Sequence, residues 1–132
     1  MAIQRSTAAR DAANNAFETT VGTSAVLKIF SGSLGANCAA ADPSGVLATL
    51  SLPSDWCTAS SSGVTSKNGT WSGTASGTGT AASYRLYASN GTTCHEQGTV
   101  GQGTGDLSLD NTSIASGQTI TINTWDRTAG NA

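Results

Sequence analysis

Tyr84-Arg85-Leu86-Tyr87-Ala88-Ser89-Asn90-Gly91-Thr92-Thr93-Cys94-His95-Glu96-Gln97-Gly98-Thr99-Val100 decides the fold class of this chain. Tyr84, Leu86 and Ala88 alternate with Arg85 and Tyr87, the period of two that belongs to a strand. Asn90-Gly91 then turns the chain, because both central residues of a tight hairpin turn need positive φ. With those two residues as the loop, Leu86 faces His95, Arg85 faces Glu96 and Tyr87 faces Cys94. Opposite charges then lie directly across from each other, as cross-strand pairing prefers. The segment reads as an antiparallel hairpin.

The same period recurs on both sides of it. Ala25-Val26-Leu27-Lys28-Ile29-Phe30 reads as a strand with Leu27 and Ile29 facing the core. Val46, Ala48, Leu50 and Leu52 alternate with Leu47, Thr49 and Ser51 until Pro53 closes the run. Leu107 and Leu109 mark a short strand, and Thr119-Ile120-Thr121-Ile122-Asn123-Thr124-Trp125 alternates throughout. Lys67-Asn68-Gly69-Thr70 offers a second Asn-Gly hairpin turn. Ser72 to Thr80, rich in Gly, Thr and Ser, reads as a tip or a weakly specified edge strand. Short strands at this spacing predict a mainly β chain: a single β-sandwich or jelly-roll-like domain.

One segment departs from that pattern. Ala8, Ala9, Ala12, Ala13, Ala16 and Phe17 recur at three- and four-residue spacing between Ser6 and Val21. This is the period of an amphipathic helix with a shallow, alanine-rich face. Ser6 suits the N-cap, and Gly22 supplies the left-handed residue that ends the helix. About four turns are marginal alone in water, so the helix needs something to dock on, its own sheet or a neighbouring subunit. Residues 1–23 are thus expected to form an arm and one N-terminal α-helix, and 24–132 an antiparallel β-sandwich that folds without residues 1–21.

Composition narrows the function. Only 11% of the 132 residues are charged and one is histidine, which leaves few groups for moving protons or holding metals. The expectation is a non-enzyme without cofactor. Arg5, Arg10, Lys28, Lys67, Arg85 and Arg127 are scattered and form no basic stripe, which argues against nucleic acid and against an anionic membrane surface. No apolar run approaches the ~20 residues of a membrane-spanning helix. Met1 to Arg10 has no hydrophobic signal-peptide core, so the chain is expected to be made in a bacterial cytoplasm and to stay there until something else exports or packages it.

The residues that could carry chemistry read mostly as structure. His95 and Glu96 are neighbours in a strand, so they point to opposite faces and form no base–orienter pair. No G-x-S-x-G is present. Asp42, Asp55, Asp106, Asp110 and Asp126 show no calcium-loop spacing and read as turn formers, with no metal implied. The sequons at Asn68, Asn90 and Asn111 also read as turns. Cys38, Cys57 and Cys94 match no zinc or redox motif. They are three reduced thiols, or a Cys38–Cys94 bridge that leaves Cys57 free. Trp56, Trp71 and Trp125 are core fillers or the anchors of a binding patch.

Several segments carry a resemblance. They are Met1-Ala2-Ile3-Gln4-Arg5-Ser6-Thr7-Ala8-Ala9-Arg10, Ser24-Ala25-Val26-Leu27-Lys28-Ile29 and Ala36-Asn37-Cys38-Ala39-Ala40-Ala41-Asp42. Leu50-Ser51-Leu52-Pro53-Ser54-Asp55-Trp56 and Gly91-Thr92-Thr93-Cys94-His95 with Gln97-Gly98-Thr99-Val100 continue it, and Thr128-Ala129-Gly130-Asn131-Ala132 closes it. Together they resemble a family of small proteins encoded in tailed phages and prophages. The resemblance implies a virion structural component and supplies no catalytic residues. The resulting expectation is a capsid decoration (cement) protein. It would bind the major capsid protein or other virion proteins and self-associate as a dimer or trimer. The alternatives are a tail- or neck-associated protein, or a carbohydrate- or receptor-binding module. Arg5, Ala9, Ala13, Phe17, Trp56, Trp71 and Trp125 are the candidate contact residues.

Overall fold

The helix forms where its caps place it. In the computed structural model, which describes residues 3–129, α1 (Thr7–Val21) starts after Ser6, whose hydroxyl accepts from the Ala9 N–H at 3.2 Å. It stops at Gly22, φ +88°, whose N–H returns to the Glu18 carbonyl. The strands that follow are β1 (Val26–Phe30), β2 (Val46–Ser51), β3 (Val64–Ser66), β4 (Ser72–Thr74), β5 (Gly79–Thr80) and β6 (Ser83–Tyr87). β7 (Cys94–Gly101), β8 (Leu107–Leu109), β9 (Ser113–Ile114), β10 (Thr119–Thr124) and β11 (Asp126–Thr128) complete the described residues.

Seven strands form one sheet in the order β2-β1-β6-β7-β8-β10-β4, while β11–β3 and β5–β9 form two small ribbons. Pairing is antiparallel except between β7 and β8, which run parallel, so the sheet is not the purely antiparallel one expected. The sheet curls until its two edges meet. Beyond β4, the Ser76 and Gly77 N–H groups donate to the Leu47 carbonyl of β2 at 2.8 and 3.2 Å. The result is a nearly closed barrel or sandwich-like fold.

Inside it, Leu27 and Ile29 of β1 face the same way as Leu86 and Tyr84 of β6, their register partners. Trp56, Trp71 and Trp125 form the centre of the core, with ring centroids 5.4 to 6.1 Å apart. Each indole N–H finds an acceptor as a buried indole requires. Trp56 donates to the Gly22 carbonyl (2.8 Å), Trp71 to the Trp56 carbonyl (3.0 Å) and Trp125 to Glu96 Oε2 (2.9 Å).

Three local expectations need correction. The β6–β7 hairpin keeps Tyr87 opposite Cys94, but a bulge shifts the rest, so Leu86 faces Glu96 and Arg85 faces Gln97. The extra residue turns Glu96 to the inner face and takes it away from Arg85. The loop is also longer than Asn90-Gly91, since Ala88 N–H bonds to the Thr93 carbonyl outside it. Lys67-Asn68-Gly69-Thr70 does turn at Gly69 (φ +73°), yet it joins β3 to β4, which pair with β11 and β10 respectively and not with each other. A second bulge at Ile29/Phe30 breaks the alternation in β2, leaving Val46 43% exposed and Leu47 buried.

Candidate functional site

The face of α1 that packs on the barrel is the polar one. Asn14 is buried and donates to Ser60 Oγ (3.0 Å) and the Gly63 carbonyl (2.9 Å). Asp11 Oδ1 accepts from the Ser60 hydroxyl (2.7 Å) and the Gly63 N–H (2.8 Å), and Asn15 Oδ1 accepts from the Ser60 N–H (3.0 Å). Arg10 Nε reaches the Ala129 carbonyl at 3.1 Å. Those bonds hold Asp11 below the usual carboxylate range, the Ser60 hydroxyl contributing most and the Gly63 N–H next. The two larger apolar residues share this face. Val21 is buried in the core, and half-buried Phe17 meets Trp56 edge-on at 6.3 Å.

Ala8, Ala9, Ala12, Ala13 and Ala16 therefore lie on the opposite side, in solvent. At 100° per residue they and exposed Thr19 and Thr20 cover one continuous face. Arg10, Asp11 and Glu18, the helix's charged residues, are all at least partly turned into the body. This inverts the usual arrangement, in which charge faces water and the apolar stripe faces the core. The expected alanine face exists, but it is not what holds the helix to its own sheet. Phe17 and Val21 are the signal that could have identified the inward face, since burying Phe or Val gains far more than burying Ala. Residues 1–21 also include Val21, which belongs to the core, and Phe17, which packs against it.

A second cluster closes the barrel near β11. Glu96 accepts from Tyr84 Oη (2.7 Å), Trp125 Nε1 (2.9 Å) and the Arg127 guanidinium, and Arg127 also donates to the Asp106 and Asp126 carbonyls. Burial and then the Glu96 charge push the Tyr84 phenol well above its usual range. Burial works against the Arg127 charge, but its bond to Glu96 and the charges around it outweigh that and raise its pKa. Both carboxylate oxygens of Glu96 are engaged, so it serves as an acceptor that ties β7 to β6, to β11 and to Trp125 between β10 and β11.

A third cluster sits on the outward face of the sheet. Arg85, only 1% exposed, is covered by the loop between β1 and β2. Its guanidinium donates to the Asn37 carbonyl (3.0 Å), the Ala40 carbonyl (2.9 Å), Asp42 Oδ1 (3.0 Å) and Gln97 Oε1 (3.3 Å). Tyr87 Oη donates to the same Asp42 oxygen, and Lys28 stands 4.8 Å above the Tyr87 ring. The Cys38–Cys94 bridge ties this loop to β7. Cys57 remains a free, buried thiol, pushed up to about 12 by burial and by the Glu18 charge.

The remaining candidates separate cleanly. Trp56, Trp71 and Trp125 are each about 1% exposed, so as contact residues they are corrected to core. Phe17 is corrected in the same way, to a residue packed on Trp56. Ala9 and Ala13 stay on the exposed helix face, and Arg5 is exposed in the segment before it. Asp110 accepts from the Asn111 N–H within its own turn, whereas Asp42 accepts from Arg85, Asp55 from the Asn68 amide and Asp106 from the Thr99 N–H. Among the described residues, no group of three or more His, Cys, Asp and Glu could hold a metal ion. A cleft of about 500 Å³ flanks the C-terminal half of α1, lined by Glu18, Thr19, Thr23 and Asp55 among others. No family model, curated protein or solved structure matches the chain.

Proposed function

We propose that this chain is a non-enzymatic structural protein of a tailed-phage virion that decorates the outside of the head. The observation that supports the reading is the charge-free alanine and threonine face of α1, exposed while Arg10, Asp11 and Glu18 turn inward. Small residues let a helix approach a flat protein surface closely, and the absence of charge removes the desolvation penalty of covering it. The β-barrel is then a rigid mount and the helix its contact surface. Ile3, in the segment leading into α1, is exposed as well. Major capsid subunits are the proposed partner, and self-association into dimers or trimers accompanies docking. The burial of all three tryptophans and both tyrosines removes the aromatic platforms on which a sugar-binding reading depended.

The test is binding of purified protein to expanded empty capsids and to procapsids, followed by sedimentation. Wild type is expected to saturate expanded capsids, with a copy number comparable to that of the major capsid subunit. Ala9→Glu and Ala13→Arg are expected to abolish binding while leaving the circular dichroism spectrum unchanged. Undiminished binding of both variants, or absence of the protein from mature particles, refutes the proposal.

A further inference from the structure

The cysteine pair and the Arg85 cluster occupy the same loop, and their geometry gives an order of events. Cys38 lies in a turn pinned by its neighbours: Asn37 Oδ1 accepts from the Ala39 and Ala40 N–H groups at 2.9 and 3.0 Å. The carbonyls on either side of it, Asn37 and Ala40, are both gripped by the Arg85 guanidinium. Gln97 Nε2 holds the Gly35 carbonyl at 2.8 Å, and Asp42 is fixed by Arg85 and Tyr87. On the other side, Cys94 is placed by the β6–β7 hairpin, opposite Tyr87. None of these contacts uses the sulfur–sulfur bond. In the loop they hold, the Cys38 and Cys94 Cα atoms lie 5.3 Å apart, inside the range a disulfide requires.

We infer that the chain folds and docks this loop as a dithiol, and that the Cys38–Cys94 bridge is a lock set afterwards, on transfer to oxidising surroundings. The inference holds independently of any virion role. Chemically, one of the two thiolates attacks a small-molecule disulfide such as oxidised glutathione and expels one reduced glutathione. The second thiolate then attacks the mixed disulfide and expels the other. The two thiol protons pass to the expelled glutathione thiolates, and the small disulfide takes up the two electrons. Both cysteines are half-buried, so a small disulfide can reach them. Cys57 is about 1% exposed within the core and stays out of the exchange. Arg85 acts here as a positioning residue.

The experiment uses full-length reduced protein and oxidised glutathione, with the products mapped by mass spectrometry after acid quenching. Native reduced protein is expected to give Cys38–Cys94 alone. The same chain in urea is expected to give mixtures that include Cys57. Arg85→Met is expected to slow ring closure by roughly tenfold or more, because the thiols are no longer held together, and to accumulate the glutathione mixed disulfide. Hydrogen exchange on a Cys38→Ser, Cys94→Ser double variant removes dependence on the Arg85 variant's folding. Its Ala39 and Ala40 amides are expected to stay as protected as in the oxidised protein. Loss of that protection, or pairing with Cys57 in the native reduced protein, overturns the inference.

Discussion

Replacing Asn14 with alanine and, separately, Ala13 with lysine tests which side of α1 holds the protein together. Asn14→Ala removes two side-chain hydrogen bonds, to Ser60 Oγ and the Gly63 carbonyl. At about 1 kcal/mol each the loss is about 2 kcal/mol. Neither partner is left bare, since Gly63 O also accepts from the Ala129 N–H and the Ser60 hydroxyl still donates to Asp11. Alanine returns about 0.7 kcal/mol through its better helix propensity. The net destabilisation is therefore about 1.3 kcal/mol. Ala13→Lys changes an exposed position and is expected to stay within about 0.5 kcal/mol of wild type. Urea unfolding followed by the fluorescence of the buried tryptophans measures both, and the lower-stability variant shifts its midpoint by roughly half a molar or more. The reasoning fails if Ala13→Lys costs more than Asn14→Ala, because the alanine face would then be the one packed on the barrel.

Reducing the Cys38–Cys94 bridge frees a loop of sequence separation 56 in the unfolded chain, which the chain-entropy relation values at about 4 kcal/mol. Denaturant unfolding of the reduced and oxidised protein should differ by about that amount, and a difference under about 1 kcal/mol would contradict it. Acid should weaken the fold through Asp11 and Asp106, both held below the usual carboxylate range. For Asp106 the Thr99 N–H contributes most, followed by burial, which opposes it, and then the Thr99 hydroxyl. A depressed folded-state pKa means this stabilisation is present above the unfolded pKa and lost as pH falls through the folded one. Asp11→Asn should therefore lie below wild type at neutral pH and converge with it in acid, as read from thermal midpoints between about pH 5 and pH 2; a constant gap would count against it.

Much of the barrel was legible because its longer strands carry their own period. β1, β6 and β10 alternate over five or six residues, and each lies where that alternation puts it. Ser6 and Gly22 bound the helix as their capping chemistry requires. β3, β5, β9 and β11 span only two or three residues, too few to show any period, and exist because partners elsewhere in the chain supply their bonds. The charge partner of Arg85 could not be read locally either. Glu96 looked right by hairpin register, but a bulge moved it inward and Asp42, 43 residues away, took its place. The tryptophans needed topology, since a side chain able to fill a core or an interface gives no sign of which it does until its neighbours are known. The direction of α1 is the instructive failure. A five-alanine stripe dominates the count, whereas Phe17 and Val21 dominate the energy.

That inversion also constrains how the proposed docking can work. A helix of 15 residues is about 22 Å long, and an alanine contributes little apolar area to any contact. One such face falls well short of the ~1,600 Å² typical of a stable protein–protein interface. A single copy held through α1 alone would bind weakly, whatever it binds. Occupancy would have to come from repetition: neighbouring copies that touch each other while each grips the same kind of subunit, so that later contacts are made at high effective concentration. A barrel braced by its own interior ion pair, a loop fastened by Arg85 and a bridge across 56 residues suits that task. A rigid mount loses little conformational freedom on binding, and so adds little to the cost that each weak contact must overcome.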